Sequence, residues 1–228
     1  MMADRSMEED LNIDRSEMAR KVENALMCCS PDNPNLKTSS TDMAHRDCPL
    51  TIISLREAVD TWDPDQLDDL MGSFTSEDAE AVVFLKNYAI ITDEESIART
   101  YLFVVSEPEI NIVGFFTIGT SHLSFANLEH LPPKLLSLLN ISEQTGTAPT
   151  YLIAQACVSR DSPLDLDSVI GTAMSYIDQV RKNVGCRLVR MDCTDCMKDR
   201  LTRLGFTFIR KDSSGTLNQM ICVMSPDC

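Results

Sequence analysis

The 228 residues are 43% apolar and 24% charged, ordinary globular usage that is enough to bury a core. With 35 acidic against 20 basic side chains the net charge is -15, which argues against a nucleic-acid binder, since lysine and arginine on phosphates supply most of that affinity. No run of eighteen apolar residues occurs, and the acidic start "MMADRSMEEDLNIDRSEMARK" has no apolar stretch for a signal peptide, so neither a membrane span nor a membrane partner is expected.

A cytoplasmic setting follows as the expectation. The nine cysteines are an odd number and scattered, which suits free thiols in a reducing compartment better than a disulfide framework. The charge is uneven. Residues 1–48 hold six bases and ten acids, residues 49–100 three and twelve, and the remainder eleven and thirteen. The middle stretch therefore favours a cationic partner, or is simply a solvated face.

Residues 1–48 read as a tail. Ser6-x-x-Glu9 has capping-box spacing, and Leu11, Met18, Val22 and Ala25 share a helical face, so a short helix is expected around 7–27. The following "CCSPDNPNLKTSSTDMAHRDCP" reads as a linker. A compact domain is expected over 49–228.

In that domain "TIISLREAVDTWD" and "PDQLDDLMGSF" read as short helices, the first with an extended start, and Pro64 suits a first helical position. "TSEDAEAVVFLKNYAIITDEESIA" reads as a helix capped by Thr75 or Ser76, with Ala81, Val82, Leu85 and Ala89 on one face. The period then changes. "RTYLFVVSE" and "NIVGFFTIGTSHLSF" are β-branched and aromatic, and "EPEIN" between them signals a hairpin. "LPPKLLSLLNIS" predicts a short helix, and "YLIAQACVSR" a buried strand.

The stretch "PLDLDSVIGTAMSYIDQVRKNVG" predicts an amphipathic helix, with Ile170, Met174, Ile177, Val180 or Arg181, and Val184 at helical spacing and Gly185 as its terminator. Its Ser168-x-x-Gly171-x-Ala173 cluster is expected in the first turn, where a glycine is a poor helix former. The chain closes with strand "CRLVRMDC", helix "TDCMKDRLTRL", strand "FTFIRKD" and strand "TLNQMICVM". A strand–helix–strand unit implies a parallel pair with a right-handed crossover, flanked by antiparallel hairpins. The fold class expected is α/β (α+β), a mixed bent sheet of about six to seven strands with helices on both faces.

This tail, with a strand ending "CVSR", a loop into a helix, and "RLGFTFI" after the last helix, resembles the GNAT acetyltransferase superfamily, over roughly residues 50–224. The segment "FLKNYAIITDEESIARTYLFVV" with "IVGFFTI" further resembles small prokaryotic members whose substrates are often unassigned. The resemblance implies an N-acetyltransferase that takes acetyl-CoA as co-substrate. In the family a Gln/Arg-x-x-Gly-x-Gly/Ala junction holds the coenzyme A diphosphate on backbone amides. Ser168, Gly171, Thr172 and Ala173 stand at the matching positions, while Ala156, Cys157 and Val158 stand where the preceding strand pairs with the cofactor arm. Val158 N–H is the family position that polarises the thioester carbonyl.

Independently of that likeness, a helix N-terminus offers free N–H groups and a positive dipole end, and Arg160 adds charge beside it. Two departures stand out. Ser168 replaces the usual glutamine or arginine, in a loop carrying Asp161, Asp165 and Asp167, whose charge opposes a diphosphate unless these residues cap the helix or face away. Leu201 stands where many members have a tyrosine that protonates the leaving thiolate. The acceptor implied by the acidic middle stretch is a cationic amine, either a small molecule or a basic peptide. Glu94 and Glu95 are candidate bases, and a homodimer is left open. The alternative is a GNAT-fold binding or regulatory protein without chemistry, acting through its acidic face or N-terminal helix. Cys193-x-x-Cys196 lacks further ligands at metal spacing and reads as packing at a strand end.

Overall fold

The structure, a computed structural model, describes residues 50–106, 109–124, 133–139, 141–142 and 144–225. The expected tail helix and linker lie outside these residues. The chain divides into two units, Met1–Thr51 and Ile52–Cys228, and the second, with the strand that enters it, holds the sheet and helices.

Seven strands form one mixed sheet: β1 (Leu50–Ser54), β2 (Ala98–Val105), β3 (Asn111–Ser124), β4 (Thr147–Val158), β5 (Leu188–Cys193), β6 (Thr207–Lys211) and β7 (Asn218–Val223), in the order β1-β2-β3-β4-β5-β7-β6. β2–β3–β4 run antiparallel, β4–β5 is the parallel pair, and β5–β7–β6 are antiparallel again. The helices are α1 (Leu55–Thr61), α2 (Pro64–Ser73), α3 (Ala79–Asn87), α4 (Ala89–Glu94), α5 (Pro133–Leu138), α6 (Leu166–Val184) and α7 (Asp195–Arg203).

Alternation along β3 assigns the layers. Phe115 turns to one face, where it meets Phe74 and Phe84 of the α2–α3 region with ring centroids 5.5 and 6.4 Å away. Phe116 turns to the other face with Tyr101, and both meet Tyr176 of α6, at 5.4 and 4.6 Å. Helices thus cover both faces, as the pattern predicted. A smaller core of Leu123, Leu139, Ala148, Leu188, Ile209 and Ile221 closes the sheet beside α5.

Two local readings change. The long helix expected from Thr75 or Ser76 is two helices, α3 and α4, meeting at Tyr88. Its cap is Asp78, whose carboxylate takes the Ala81 N–H at 3.0 Å, while Ser76 Oγ instead accepts the Asp78 N–H and the Cys157 thiol. On α6 the buried stripe is Val169, Ile170, Ala173, Ile177 and Arg181, and Val180 and Val184 are exposed. The cationic residue takes the inner position because Asp178, one turn back, pairs with it at 2.6 Å.

Asp93 is the buried polar anchor of this face. It is 4% exposed, receives the Thr100 N–H at 3.2 Å, and pairs with Arg99 at 2.9 Å. Asp93→Ala leaves a fully buried N–H unsatisfied and a half-buried guanidinium without its partner, an expected loss of about 3 kcal/mol in urea unfolding. Asp93→Asn keeps an acceptor for Thr100 and is expected to lose less than half of that.

Candidate functional site at a forked strand

β4 is the fourth of seven strands, yet its parallel pairing with β5 covers only Tyr151, Leu152 and Ile153, against Val189, Arg190 and Met191. Beyond that point the two strands part. Ala154–Val158 continue alongside β3 as far as Val158↔Gly114, while Asp192 and Cys193 stay with β7. A bulge between Thr117 and Ile118 leaves Ala154 without an opposite number at the fork, and Ala154 is exposed although it lies mid-sheet.

The fork leaves backbone groups unpaired, and antiparallel alternation says which ones. Ser159 N–H donates to Val113 C=O at 2.9 Å, so Ser159 and Cys157 turn their amides toward β3. Cys157 C=O accordingly lies 3.0 Å from where a Cβ on Gly114 would sit, a close approach that suits glycine there. Ala156 and Val158 therefore turn their N–H and C=O groups into the fork. The Cys157 side chain is buried against Ser76, and burial pushes its thiol pKa up. Arg160, just past the strand, is exposed, and its backbone N–H is tied to Thr75 C=O at 3.0 Å. Among the described residues its guanidinium makes no ion pair.

The start of α6 lies one loop further on. The helix begins at Leu166 with Asp165 as its cap, so Gly171, Thr172 and Ala173 fall in the second turn, not the first. Their N–H groups are spent on carbonyls four residues back. Asp165 also takes Ser168: the amide donates to Oδ1 at 2.8 Å and the hydroxyl to Oδ2 at 3.0 Å. Thr172 Oγ1 donates back to Ser168 C=O at 2.8 Å, and Ala173 is fully buried against the sheet. The Leu166 amide is what the first turn has left for an anion, because the Asp167 and Ser168 amides both serve the Asp165 carboxylate beside it.

Gly171 answers to none of its neighbours. A Cβ built there meets nothing within 4 Å, and the position is exposed. Close helix–sheet packing therefore does not explain the glycine, although a glycine inside a helix costs about 1 kcal/mol against alanine. With Ser168 and Ser175 it leaves a low, open face along the outer side of α6.

Two features temper the acidic loop. Asp165 is spent on the helix cap, and Asp167 faces Arg200 of α7 at 3.2 Å. The Ser168 amide holds the Asp165 pKa below the usual carboxylate range. A carboxylate whose folded pKa is depressed gives stability that is complete above the unfolded value, about 3.9, and is lost as pH falls through the folded one. Asp165→Asn keeps a good cap. It is expected to leave the melting temperature at pH 7 nearly unchanged while flattening the loss of stability below about pH 4, read by thermal melts across pH.

The remaining candidates lie elsewhere. Leu201 is fully buried beneath the sheet, so no hydroxyl stands at that position. Cys193 is buried with its thiol pushed up to about 11 by burial, whereas Cys196 is exposed, so the two thiols do not share an environment. Glu94 and Glu95 precede β2, whose Ala98 is in register through Gly119 with Leu152, two residues before the fork opens at Ala154. No helix among the described residues is long and apolar enough to cross a membrane.

Comparison with known proteins gives fold without family. No protein-family profile matches the chain, and no curated protein matches it in sequence. Solved structures do match. A structure of AtaT complexed with acetyl-methionyl-tRNAfMet superposes with a TM-score of 0.59 at 17% identity, over 74% of this chain and 93% of that one. AtaTR bound with acetyl-CoA gives 0.53 at 16%, over 75% and 91%, and a bacterial toxin gives 0.60 at 11%, over 77% and 90%. These likenesses show the fold, and it is the GNAT fold.

Proposed function

We propose that this GNAT-fold chain is an N-acetyltransferase that moves an acetyl group from acetyl-CoA to a cationic amine. The observation that carries the reading is the fork: five residues of a central strand without a β5 partner, next to the start of a long helix. An extended amide-bearing arm fits such an edge, pairing with Ala156 and Val158 as a further strand would. The diphosphate is assigned to the Leu166 amide and the open face at Gly171 and Thr172, with Arg160 supplying positive charge. Ser168 stays with Asp165, and Cys157 and Ala173 act as packing beneath the site. The match to a structure bound with acetyl-CoA supports this assignment at the level of the fold.

The chemistry asked of the protein is modest. The ammonium first gives a proton to water, the freed amine nitrogen attacks the thioester carbon, the C–S bond breaks, and the second N–H proton also leaves to water. Val158 N–H, aimed into the fork, is the donor assigned to the carbonyl oxygen as charge develops there. With Leu201 in place of a phenol, the leaving thiolate takes its proton from water. The acceptor is read from charge: residues 49–100, with twelve acids and three bases, attract a small cationic amine or a basic peptide. The same balance argues against a nucleic-acid acceptor. The free cysteines among the described residues suit a cytoplasmic address.

The test is mass spectrometry of an amine and lysine-peptide library incubated with the chain and acetyl-CoA. An acetylated product, formed with release of free coenzyme A thiol, is the expected result. The second reading, a GNAT-fold binding protein without chemistry, is favoured by Leu201 and by the Asp165 carboxylate at the anion site. Coenzyme A binding without any acetylated product selects it, and absence of binding at millimolar coenzyme A rejects both.

A further inference from the structure

Eight large apolar side chains are exposed among the described residues, and five of them, Val59, Val83, Tyr88, Ile91 and Ile97, fall in the same stretch that holds the acidic excess. A plain solvated helix face is polar where it meets water. Here Val83, Tyr88 and Ile91 are 48%, 55% and 51% exposed.

The first two of these line a groove of about 340 Å³ along α3, together with Ala79, Glu80 and Phe84. The Phe84 ring is a fixed floor, stacked on Phe115 of the core. Tyr88 stands where α3 meets α4, and Ile91, three residues on in α4, is a further exposed apolar side chain.

Charge at this surface has one sign. Glu80 is on the groove wall, and Glu77, Glu94 and Glu95 are exposed on the flanking turns. Lys86 is the one base between Glu77 and Ile97, and its ammonium is drawn away to the Gly72 carbonyl at 2.6 Å. An apolar trough with a carboxylate rim and its cation withdrawn is complementary to one kind of surface: a helix with apolar anchors at i, i+3 or i+4, and i+7, flanked by lysine or arginine.

We propose that the α3–α4 face docks a basic amphipathic helical segment of a partner protein. The apolar anchors seat against Val83, Phe84 and Tyr88, and the basic flanks meet Glu80 and the neighbouring glutamates. The surface lies on the face opposite α6, and docking there does not require that the fork carry out any chemistry.

The experiment uses the full chain without acetyl-CoA and a fluorescein-labelled helical peptide with one leucine face and one lysine face, followed by anisotropy at physiological salt. Saturable binding is expected, and the double variant Val83→Ser/Tyr88→Ser is expected to weaken it at least tenfold with an unchanged melt, since both side chains are half in water already. Asp68→Asn/Asp69→Asn removes two exposed acids from α2, and is expected to change affinity less than twofold. A leucine–glutamate peptide of the same pattern is expected not to bind. No binding by the wild type, wild-type affinity in the double variant, or an equal loss in the α2 control each overturns the proposal, the last by showing diffuse charge attraction.

Discussion

Gly171→Glu is expected to weaken acetyl-CoA binding about a hundredfold, roughly 2.7 kcal/mol, while the protein stays folded. Gly171 faces open space, with no atom within 4 Å of a built Cβ, so a side chain there displaces nothing in the protein. It also lies one turn from the Leu166 amide, on the outer face of α6. A carboxylate there repels a diphosphate placed on that face, in addition to the charge of Asp165. Glutamate is a better helix former than glycine by about 0.5 kcal/mol, so the melting temperature is expected to rise by about 1–2 °C. Calorimetry with acetyl-CoA and a thermal melt on the same sample separate the two effects. Retained affinity in Gly171→Glu removes the diphosphate from this face. Gly171→Ala is the companion: it should firm the helix by about 1 kcal/mol with only a small effect on binding.

The second large effect is on the fold. Leu201→Ala is expected to cost about 2–5 kcal/mol in urea unfolding, because this side chain of α7 is fully buried and its removal leaves a cavity. This bears on mechanism as well. The family position for a proton donor is here a core leucine, and a leucine has no proton to give. At temperatures where the variant is still folded, kcat/KM for acetyl transfer is therefore expected to stay within about threefold of wild type. A drop of several hundredfold in folded protein means that this part of α7 positions the reacting groups, which contradicts the assignment of Leu201 to packing.

The order of elements was legible in the sequence because "TYLFVV" and "IVGFFTI" are runs of β-branched and aromatic residues, while α6 repeats at three and four residues up to a Gly185 stop. The cap of α6 was also within reach of sequence, since Asp165 precedes Ser168 by three residues, an N-cap spacing. Residue periodicity misplaces Gly171 by a turn only because the helix accepts "LDS" ahead of it.

The fork itself is not a local property. Nothing in "YLIAQACVSR" says that Ile153 is the last residue to meet β5, since that depends on a bulge opposite Ile118 and on β5 staying with β7. The break at Tyr88 is hidden for a similar reason. Both halves of the stretch are good helix, and only the tertiary burial of Leu85 and Ala89 fixes where it bends. Of the two residues the spacing offered for the buried stripe, Val180 and Arg181, the arginine takes it, because with Asp178 as its neighbour it can be placed inward.

The most direct measurement is amide chemical-shift mapping of the full chain as coenzyme A is added. Shifts concentrated at Ala154–Val158 and Leu166–Gly171, saturating together, are the result expected of a ligand lying along the open edge of β4 and over the start of α6. Unmoved amides at both segments at millimolar coenzyme A, or saturating shifts confined to other parts of the sheet, contradict it.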